Sequence, residues 1–99
     1  MFCYFLKIGA KRYKTDELLD TLNSYPDDFR CERGCLGYRI YRDLHRLDTF
    51  TMVAEWLTYQ DMQKHFQAPK FKILIGAAKV LGVSSELLVT ETASSTAGR

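Results

Sequence analysis

The fold is decided by two alternating runs of sequence, Tyr38-Arg39-Ile40-Tyr41-Arg42-Asp43 and Phe50-Thr51-Met52-Val53-Ala54-Glu55-Trp56. Large and polar side chains alternate along both runs, and a period of two residues is typical of a β-strand. The polar segment Leu44-His45-Arg46-Leu47-Asp48 separates the runs, so together they predict an antiparallel hairpin.

This hairpin carries apolar groups on both of its predicted faces. Phe50, Met52 and Trp56 share one face, whereas Val53 lies on the other. A sheet with two apolar faces usually has a layer packed against each of them. The simplest second layer is the sheet of another copy, so we predict a homodimer.

The chain before the hairpin predicts a strand and a helix. The aromatic and β-branched residues from Phe2 to Ile8 are typical of a strand. Thr15 or Asp16 is the expected N-cap of the helix that follows. Pro26 lacks an amide hydrogen, so the helix either kinks there or restarts with Pro26 in its first turn. Its apolar stripe consists of Leu18, Leu22, Tyr25 and Phe29.

After the hairpin, the sequence predicts two helices and a last strand. Thr58 with Asp61 three residues later resembles a capping box and begins a short helix. Pro69 begins a second helix, and Gly82 ends it. A short strand is expected from Glu86 to Thr90.

The resulting order of strand, helix, strand, strand, helix pair and strand predicts an α+β fold. It is the ferredoxin-like arrangement, an antiparallel sheet with helices on one face. We expect a single domain over residues 1–91 and a disordered tail over residues 92–99, which are rich in small and polar side chains.

Composition limits the partners. A formal charge of +2 on 99 residues is small for a domain that neutralises phosphates, so a nucleic-acid partner is not expected. The longest apolar stretch, Ile73 to Val83, is broken by Lys79 and is too short to span a membrane. The start of the chain lacks the basic segment and cleavage site of a signal peptide, so a cytoplasmic location is expected.

The chain has three cysteines, Cys3, Cys31 and Cys35. Their odd number and the C-x-x-x-C spacing of the last two favour reduced structural thiols over a disulfide framework. A metal site would need a fourth ligand, for which only His45 and His65 are available, so no metal is expected.

Three short motifs follow one another from residue 34 onward: Gly34-Cys35-Leu36-Gly37-Tyr38, then Glu55-Trp56, then His65-Phe66-Gln67-Ala68-Pro69-Lys70-Phe71. They resemble the antibiotic biosynthesis monooxygenase (ABM) family, and the resemblance extends from about Leu18 to Gly82. Ala68 stands where many members have Ser or Thr, so the helix that begins at Pro69 is expected to lack a side-chain cap.

The resemblance implies a dimeric α+β barrel built from ferredoxin-like halves. It also implies a monooxygenase that uses no metal, flavin or haem, because an electron-rich quinol or phenol, once deprotonated, can itself give an electron to oxygen. The protein then has to hold a proton, exclude water and orient the ring. In the haem-degrading branch of the same superfamily an iron-binding histidine falls at Ile75, which cannot coordinate iron, so haem degradation is not expected.

On this resemblance, His65 is the candidate catalytic base, because imidazole can take a phenolic proton near neutral pH. Tyr38, Trp56, Phe66 and Phe71 are the candidate substrate-binding residues. Each has a structural alternative. His65 would then bond a neighbouring carbonyl, while the aromatic residues would belong to the core or the dimer interface.

Two functions remain open from the sequence. One is a cofactor-independent monooxygenase acting on a quinol or polycyclic phenol, and the other is a non-catalytic dimeric barrel that binds an apolar small molecule or a partner protein. A second polar group converging on His65 would favour the enzyme. Tyr4, Arg39 and Arg42 are the candidates for that group.

Overall fold

The computed structural model describes residues 1–91, so the expected tail at residues 92–99 lies outside the described residues. Helices and strands follow the expected order, and two helices connect the first two strands, as one of the two alternatives for Pro26 predicted. In chain order the elements are β1 (Phe2–Ala10), α1 (Thr15–Asn23), α2 (Pro26–Arg30), β2 (Cys35–Arg42), β3 (Thr49–Trp56), α3 (Tyr59–Gln67), α4 (Pro69–Leu81) and β4 (Gly82–Glu91).

The sheet has four antiparallel strands in the order β2-β3-β1-β4. The predicted hairpin is confirmed as β2 and β3, in which Ile40 pairs with Met52. Leu6 of β1 pairs with Met52 from the other side. This topology, with helices packed on one face, confirms the α+β ferredoxin-like fold.

The core lies between the sheet and the helices. Alternate residues of the strands face the helices, as the period of two requires. The side chains that are fully buried there include Tyr4, Leu6, Ile8, Leu18, Leu22, Phe29, Phe50, Met52, Trp56, Met62 and Leu74. Since each fully buried large apolar side chain stabilises the fold by about 1.5–3 kcal/mol, this layer is the main source of stability.

The opposite face of the sheet, called here the open face, is lined by a different set of side chains. Phe5 lies between Val53 of β3 and Leu88 of β4 in the strand register. Exposed charged residues flank this apolar row, among them Lys7 and Glu55. The open face therefore has one continuous apolar row, and most of the residues around that row are polar.

The first helix begins one residue earlier than expected. The Leu18 amide donates to the Lys14 carbonyl at 2.9 Å, so Lys14 is the N-cap and the expectation of Thr15 or Asp16 is wrong. A turn closed by the Lys14 amide and the Lys11 carbonyl at 2.9 Å, with Tyr13 at φ 66, brings the chain into the helix early.

Pro26 restarts the helix rather than kinking it. Helix α1 ends at Asn23, and α2 begins with Pro26 at its first position, where the missing amide hydrogen costs nothing. Of the two alternatives left open by the sequence, the structure selects the restart.

The caps of the second half are confirmed. The Asp61 amide donates to Thr58 Oγ1 at 3.1 Å and begins α3. Ala68 precedes α4 without a side-chain cap. Gly82 ends α4, but β4 begins there at once and is longer than the expected strand from Glu86 to Thr90. A Cβ on Gly82 would lie 2.6 Å from the Ala78 carbonyl oxygen, so the direct change from helix to strand needs a glycine.

No helix within residues 1–91 is long and apolar enough to cross a membrane.

Candidate active site

His65 lies on α3 and is enclosed by aromatic rings in the core. Only 1% of its surface is exposed. Its imidazole stacks on the Tyr4 ring with centroids 5.5 Å apart and planes 20° apart. Trp56 and Phe29 lie at 4.6 Å and Phe71 at 4.9 Å from it. A titratable group in such surroundings is partly cut off from water.

Both nitrogens of His65 bond to side chains. Nδ1 lies 2.8 Å from Oε1 of Glu32, and Nε2 lies 2.6 Å from the Tyr4 hydroxyl. A carboxylate only accepts, so Nδ1 carries the hydrogen and donates it to Glu32. In the neutral ring Nε2 is then the acceptor, and the Tyr4 hydroxyl donates to it.

The hydrogen bonds continue into the core. The Tyr4 hydroxyl lies 2.8 Å from the Tyr38 hydroxyl. Since Tyr4 uses its hydrogen on His65, Tyr38 donates to Tyr4. Tyr38, Tyr4, His65 and Glu32 thus form a directed chain of hydrogen bonds, called here the relay, in which each hydroxyl and each imidazole nitrogen has a partner.

Burial sets the protonation states of the relay. It raises the pKa of Tyr4 and of Tyr38 well above that of a free phenol, so both keep their protons at neutral pH. Burial also lowers the pKa of His65, an effect that the hydrogen bond and charge of Glu32 partly oppose. The imidazole is therefore neutral at pH 7, and its Nε2 lone pair accepts the hydrogen of the Tyr4 hydroxyl.

A tight loop between α2 and β2 presents Glu32 to His65. The Glu32 amide donates to the Phe29 carbonyl at 3.1 Å, and the Cys35 amide donates to the Glu32 carbonyl at 3.1 Å. Gly34 closes the loop at φ 83, where the Asp61 carboxylate occupies the space that a Cβ would fill. Only glycine combines that backbone conformation with that approach.

A cavity of about 500 Å³ lies outside His65. The α2–β2 loop, α3 and the start of α4 form its walls. The polar residues that border it are Glu32, Arg33, Asp61, Lys64, His65 and Lys70. The Glu32 side chain is 27% exposed, whereas that of His65 is 0% exposed, so Glu32 is the member of the relay that is most open to the cavity.

The predicted site residues come together around His65. Trp56 and Phe71 lie against the imidazole, and the Tyr38 and Phe66 ring centroids lie 6.2 and 6.0 Å from it. Within the described residues these four approach His65 from the core, and the cavity borders none of them. Their role as substrate contacts stays a prediction.

The second polar group that was sought beside His65 is Tyr4. Arg39 is exposed on β2, and Arg42 donates from Nε to the Leu47 carbonyl at 2.6 Å, so neither arginine converges on the imidazole. Glu32 was missed. In the sequence Glu32 is only an acidic residue in a short loop after a helix. It lies between Cys31 and Cys35, which were interpreted as structural thiols.

Trp56 holds one unusual polar atom. Its Nε1 is buried and has no hydrogen-bond partner within residues 1–91. An unmatched buried donor costs about 1–3 kcal/mol, and this indole nitrogen can donate to an acceptor that comes within reach.

The three cysteines are free thiols: Cys3 is buried, Cys31 exposed and Cys35 half-buried. Burial raises the pKa of Cys3 and of Cys35, which makes them poor nucleophiles. Within residues 1–91 no three His, Cys, Asp or Glu side chains form a group that could hold a metal ion.

Solved structures of the same fold include a Deinococcus radiodurans protein named as a candidate antibiotic biosynthesis monooxygenase. It superposes with a TM-score of 0.90 at 23% identity, over 96% of this chain and 95% of its own. A Nitrosomonas europaea protein of the same description gives 0.85 at 12% identity, over 93% and 98% of the two chains. A conserved protein from Methanosarcina mazei Go1 gives 0.85 at 20% identity, over 93% and 92%.

These structures share the fold, and at such low identity they carry nothing more. No curated protein matches the chain. The sequence profile described as antibiotic biosynthesis monooxygenase matches residues 1–75, which is more than half of the 99 residues. The chain therefore belongs to the antibiotic biosynthesis monooxygenase family.

Proposed function

We propose that this protein is a cofactor-independent monooxygenase that oxidises a quinol or polycyclic phenol with O2. Family membership supports oxygenase chemistry in general, and the site supports the substrate class. In the balanced reaction a phenol and one O2 give a quinone and one water. One oxygen atom enters the ring, the other leaves as water, and the substrate supplies all four electrons.

The observation that carries the proposal is the neutral, oriented imidazole of His65 beside the cavity. Such a reaction begins when the substrate loses a proton, because the phenolate gives up an electron more readily than the phenol. His65, the predicted base, takes part through Glu32: both of its nitrogens are bonded, and the 2.8 Å hydrogen bond from Nδ1 fixes its tautomer and couples it to the carboxylate that borders the cavity.

The aromatic residues remain the proposed substrate contacts. Phe66 is half-buried, whereas Tyr38 and Trp56 are fully buried, so a ring would contact those two only after the aromatic side chains around His65 move apart. The unpartnered Nε1 of Trp56 would then donate to a substrate oxygen. In either state the rings keep water away from the imidazole.

We further propose that the protein forms a homodimer through the open face. Phe5, Val53 and Leu88 form a continuous apolar row there, and Lys7 lies directly opposite Glu86 in the register. Sedimentation equilibrium should show a dimer for the unmodified chain and a monomer for Val53→Asp. A monomeric unmodified chain at micromolar concentration would contradict this arrangement.

The three free thiols fit a reducing compartment, so we place the protein in the cytoplasm.

The test of the enzyme is oxygen uptake with reduced naphthoquinols and anthrones in metal-chelated buffer. We expect the unmodified chain to take up oxygen well above the uncatalysed rate. In His65→Ala the rate should fall by about 10²-fold or more. His45→Ala is the matched control, because His45 lies in the exposed β2–β3 loop, and it should keep full activity. Background rates with every substrate would count against the enzyme.

The second candidate is a non-catalytic dimeric barrel that binds an apolar molecule or a partner protein. It is favoured by the burial of His65, because a histidine with both nitrogens bonded also stabilises a core. Thermal unfolding separates the two functions. A His65→Ala variant that loses stability, while the unmodified chain shows no turnover, would support the barrel.

A further inference from the structure

The cavity beside His65 combines an acceptor with two free cations. Glu32 borders the cavity with 27% of its side chain exposed, and Arg33 and Lys64 border the same space. Within residues 1–91 neither cation has a salt bridge, whereas Lys70 at the rim is paired with Asp28 at 2.7 Å. Asp61 also borders the cavity, but its Oδ2 accepts from the Thr58 hydroxyl at 2.8 Å.

We propose that Glu32 is the catalytic residue that touches the substrate, accepting the acidic hydroxyl of an aromatic ring bound in this cavity. The assignment rests on the proposed function and deepens it, because it states where the proton is taken and which substrate group is recognised. His65 then acts through Glu32, as the positioning residue behind it.

Glu32 is suited to this contact because its two oxygens have different surroundings. Oε1 accepts from His65 Nδ1 at 2.8 Å, which fixes the carboxylate in one orientation. No hydrogen bond within residues 1–91 occupies Oε2. With 27% of the side chain exposed, against 0% for His65, a ligand in the cavity meets Glu32 before the imidazole.

The proton transfer balances within these groups. The substrate O–H bond breaks, its proton goes to Glu32 Oε2, and the electron pair stays on the substrate oxygen as a phenolate. Arg33 and Lys64 border the same cavity, and a cation close to a phenol favours its ionised form. The His65 hydrogen bond holds the carboxyl group in place throughout.

This arrangement makes the substrate hydroxyl the recognised group. A site that bonds a ligand hydroxyl discriminates strongly against an analogue without it, because the buried acceptor is left unpaired. The cavity should therefore prefer a hydroxylated ring to its methyl ether.

The experiment compares 1-naphthol with 1-methoxynaphthalene by equilibrium dialysis against the full chain. We expect the naphthol to bind about tenfold or more tightly than the ether, the factor of one hydrogen bond to a charged acceptor. In Glu32→Gln this preference should fall to about threefold or less. Glu17→Gln, a change of an exposed glutamate on α1, should leave it unchanged.

Equal binding of the two probes to the unmodified chain would overturn the assignment, as would a full preference retained in Glu32→Gln or no binding of 1-naphthol at all. Circular dichroism and melting of Glu32→Gln confirm that the variant is folded. Oxygen uptake that survives in Glu32→Gln but is lost in His65→Ala would refute Glu32 and leave the oxygenase standing. Naphthol binding that depends on Glu32, without oxygen uptake for any substrate, would support Glu32 as the ligand contact and count against the oxygenase.

Discussion

The two faces of the sheet differ in how they treat polar groups. On the face that the helices cover, the relay of Tyr38, Tyr4, His65 and Glu32 borders an apolar layer, and each hydroxyl and imidazole nitrogen of the relay has a partner. On the open face, charged side chains such as Lys7 surround one apolar row and reach solvent. Polar groups are therefore scarce and fixed on one face, and numerous and free on the other.

This difference indicates where chemistry and assembly belong. A buried, fully paired network holds its groups in one geometry, which general acid–base catalysis requires. An exposed row such as Phe5, Val53 and Leu88 needs no such geometry, and it suits contact with a second sheet. Substitutions on the two faces should accordingly differ in size and in kind.

The largest expected effect is that of Phe29→Ala on the covered face. Phe29 is fully buried against His65 at 4.6 Å and Tyr38 at 5.0 Å, so its removal leaves a cavity in the core. We expect a loss of about 3–5 kcal/mol in the free energy of unfolding, measured by urea denaturation. Phe5→Ala on the open face is the counterpart. If Phe5→Ala lowers the unfolding free energy of the monomer as much as Phe29→Ala does, the two faces do not differ as described.

A smaller loss is expected for Tyr4→Phe, which leaves His65 Nε2 without a partner and the Tyr38 hydroxyl with only the Met52 sulfur, 3.8 Å away. His65 Nε2 and the Tyr38 hydroxyl would both lose a bond, at a cost of about 1–3 kcal/mol in unfolding free energy. Tyr41→Phe is the matched control, because Tyr41 is half exposed and lies outside the relay. Equal stability of the two variants would show that the relay contributes little.

Local chemistry explains what the sequence predicted correctly. The hairpin follows from the two-residue period of its side chains. The Thr58 cap is a hydrogen bond between residues three positions apart, so nearby residues determine both features. The predicted start of α1 was wrong because a turn with Tyr13 at φ 66 makes Lys14 the N-cap. The residue types in that turn do not indicate this backbone conformation. Pro26 was ambiguous because proline is compatible with both a kink and a restart.

The relay depends on distant parts of the chain. Glu32 and His65 are 33 positions apart, and Tyr4 and His65 are 61 apart. Such pairs form only once sheet and helices pack, so no local pattern specifies them. His65 and most of its aromatic neighbours were found because family motifs contain them, whereas Glu32 lies outside those family motifs. The cavity was not predicted either, since it arises between three elements.

The pH dependence of stability should come from the covered face. Burial lowers the pKa of His65 in the folded protein below its unfolded value of about 6.5. The unfolded chain thus binds the proton more tightly, and stability is fully present above about pH 6.5 and declines below it until the folded pKa is passed. Urea midpoints at about pH 7.5 and 5.5 measure this decline. It should vanish in His65→Gln and persist in His45→Gln.

The smallest effect on the monomer is expected for Leu88→Ser on the open face. Leu88 is 59% exposed, so the change should alter the unfolding free energy of the dilute monomer by only about 0.5 kcal/mol. Its effect should instead appear in assembly, because the apolar row that includes Phe5 and Val53 is interrupted. Sedimentation should show a weaker dimer with unchanged far-UV circular dichroism. A large loss of monomer stability without a change in assembly would place the function of this row in folding rather than in pairing.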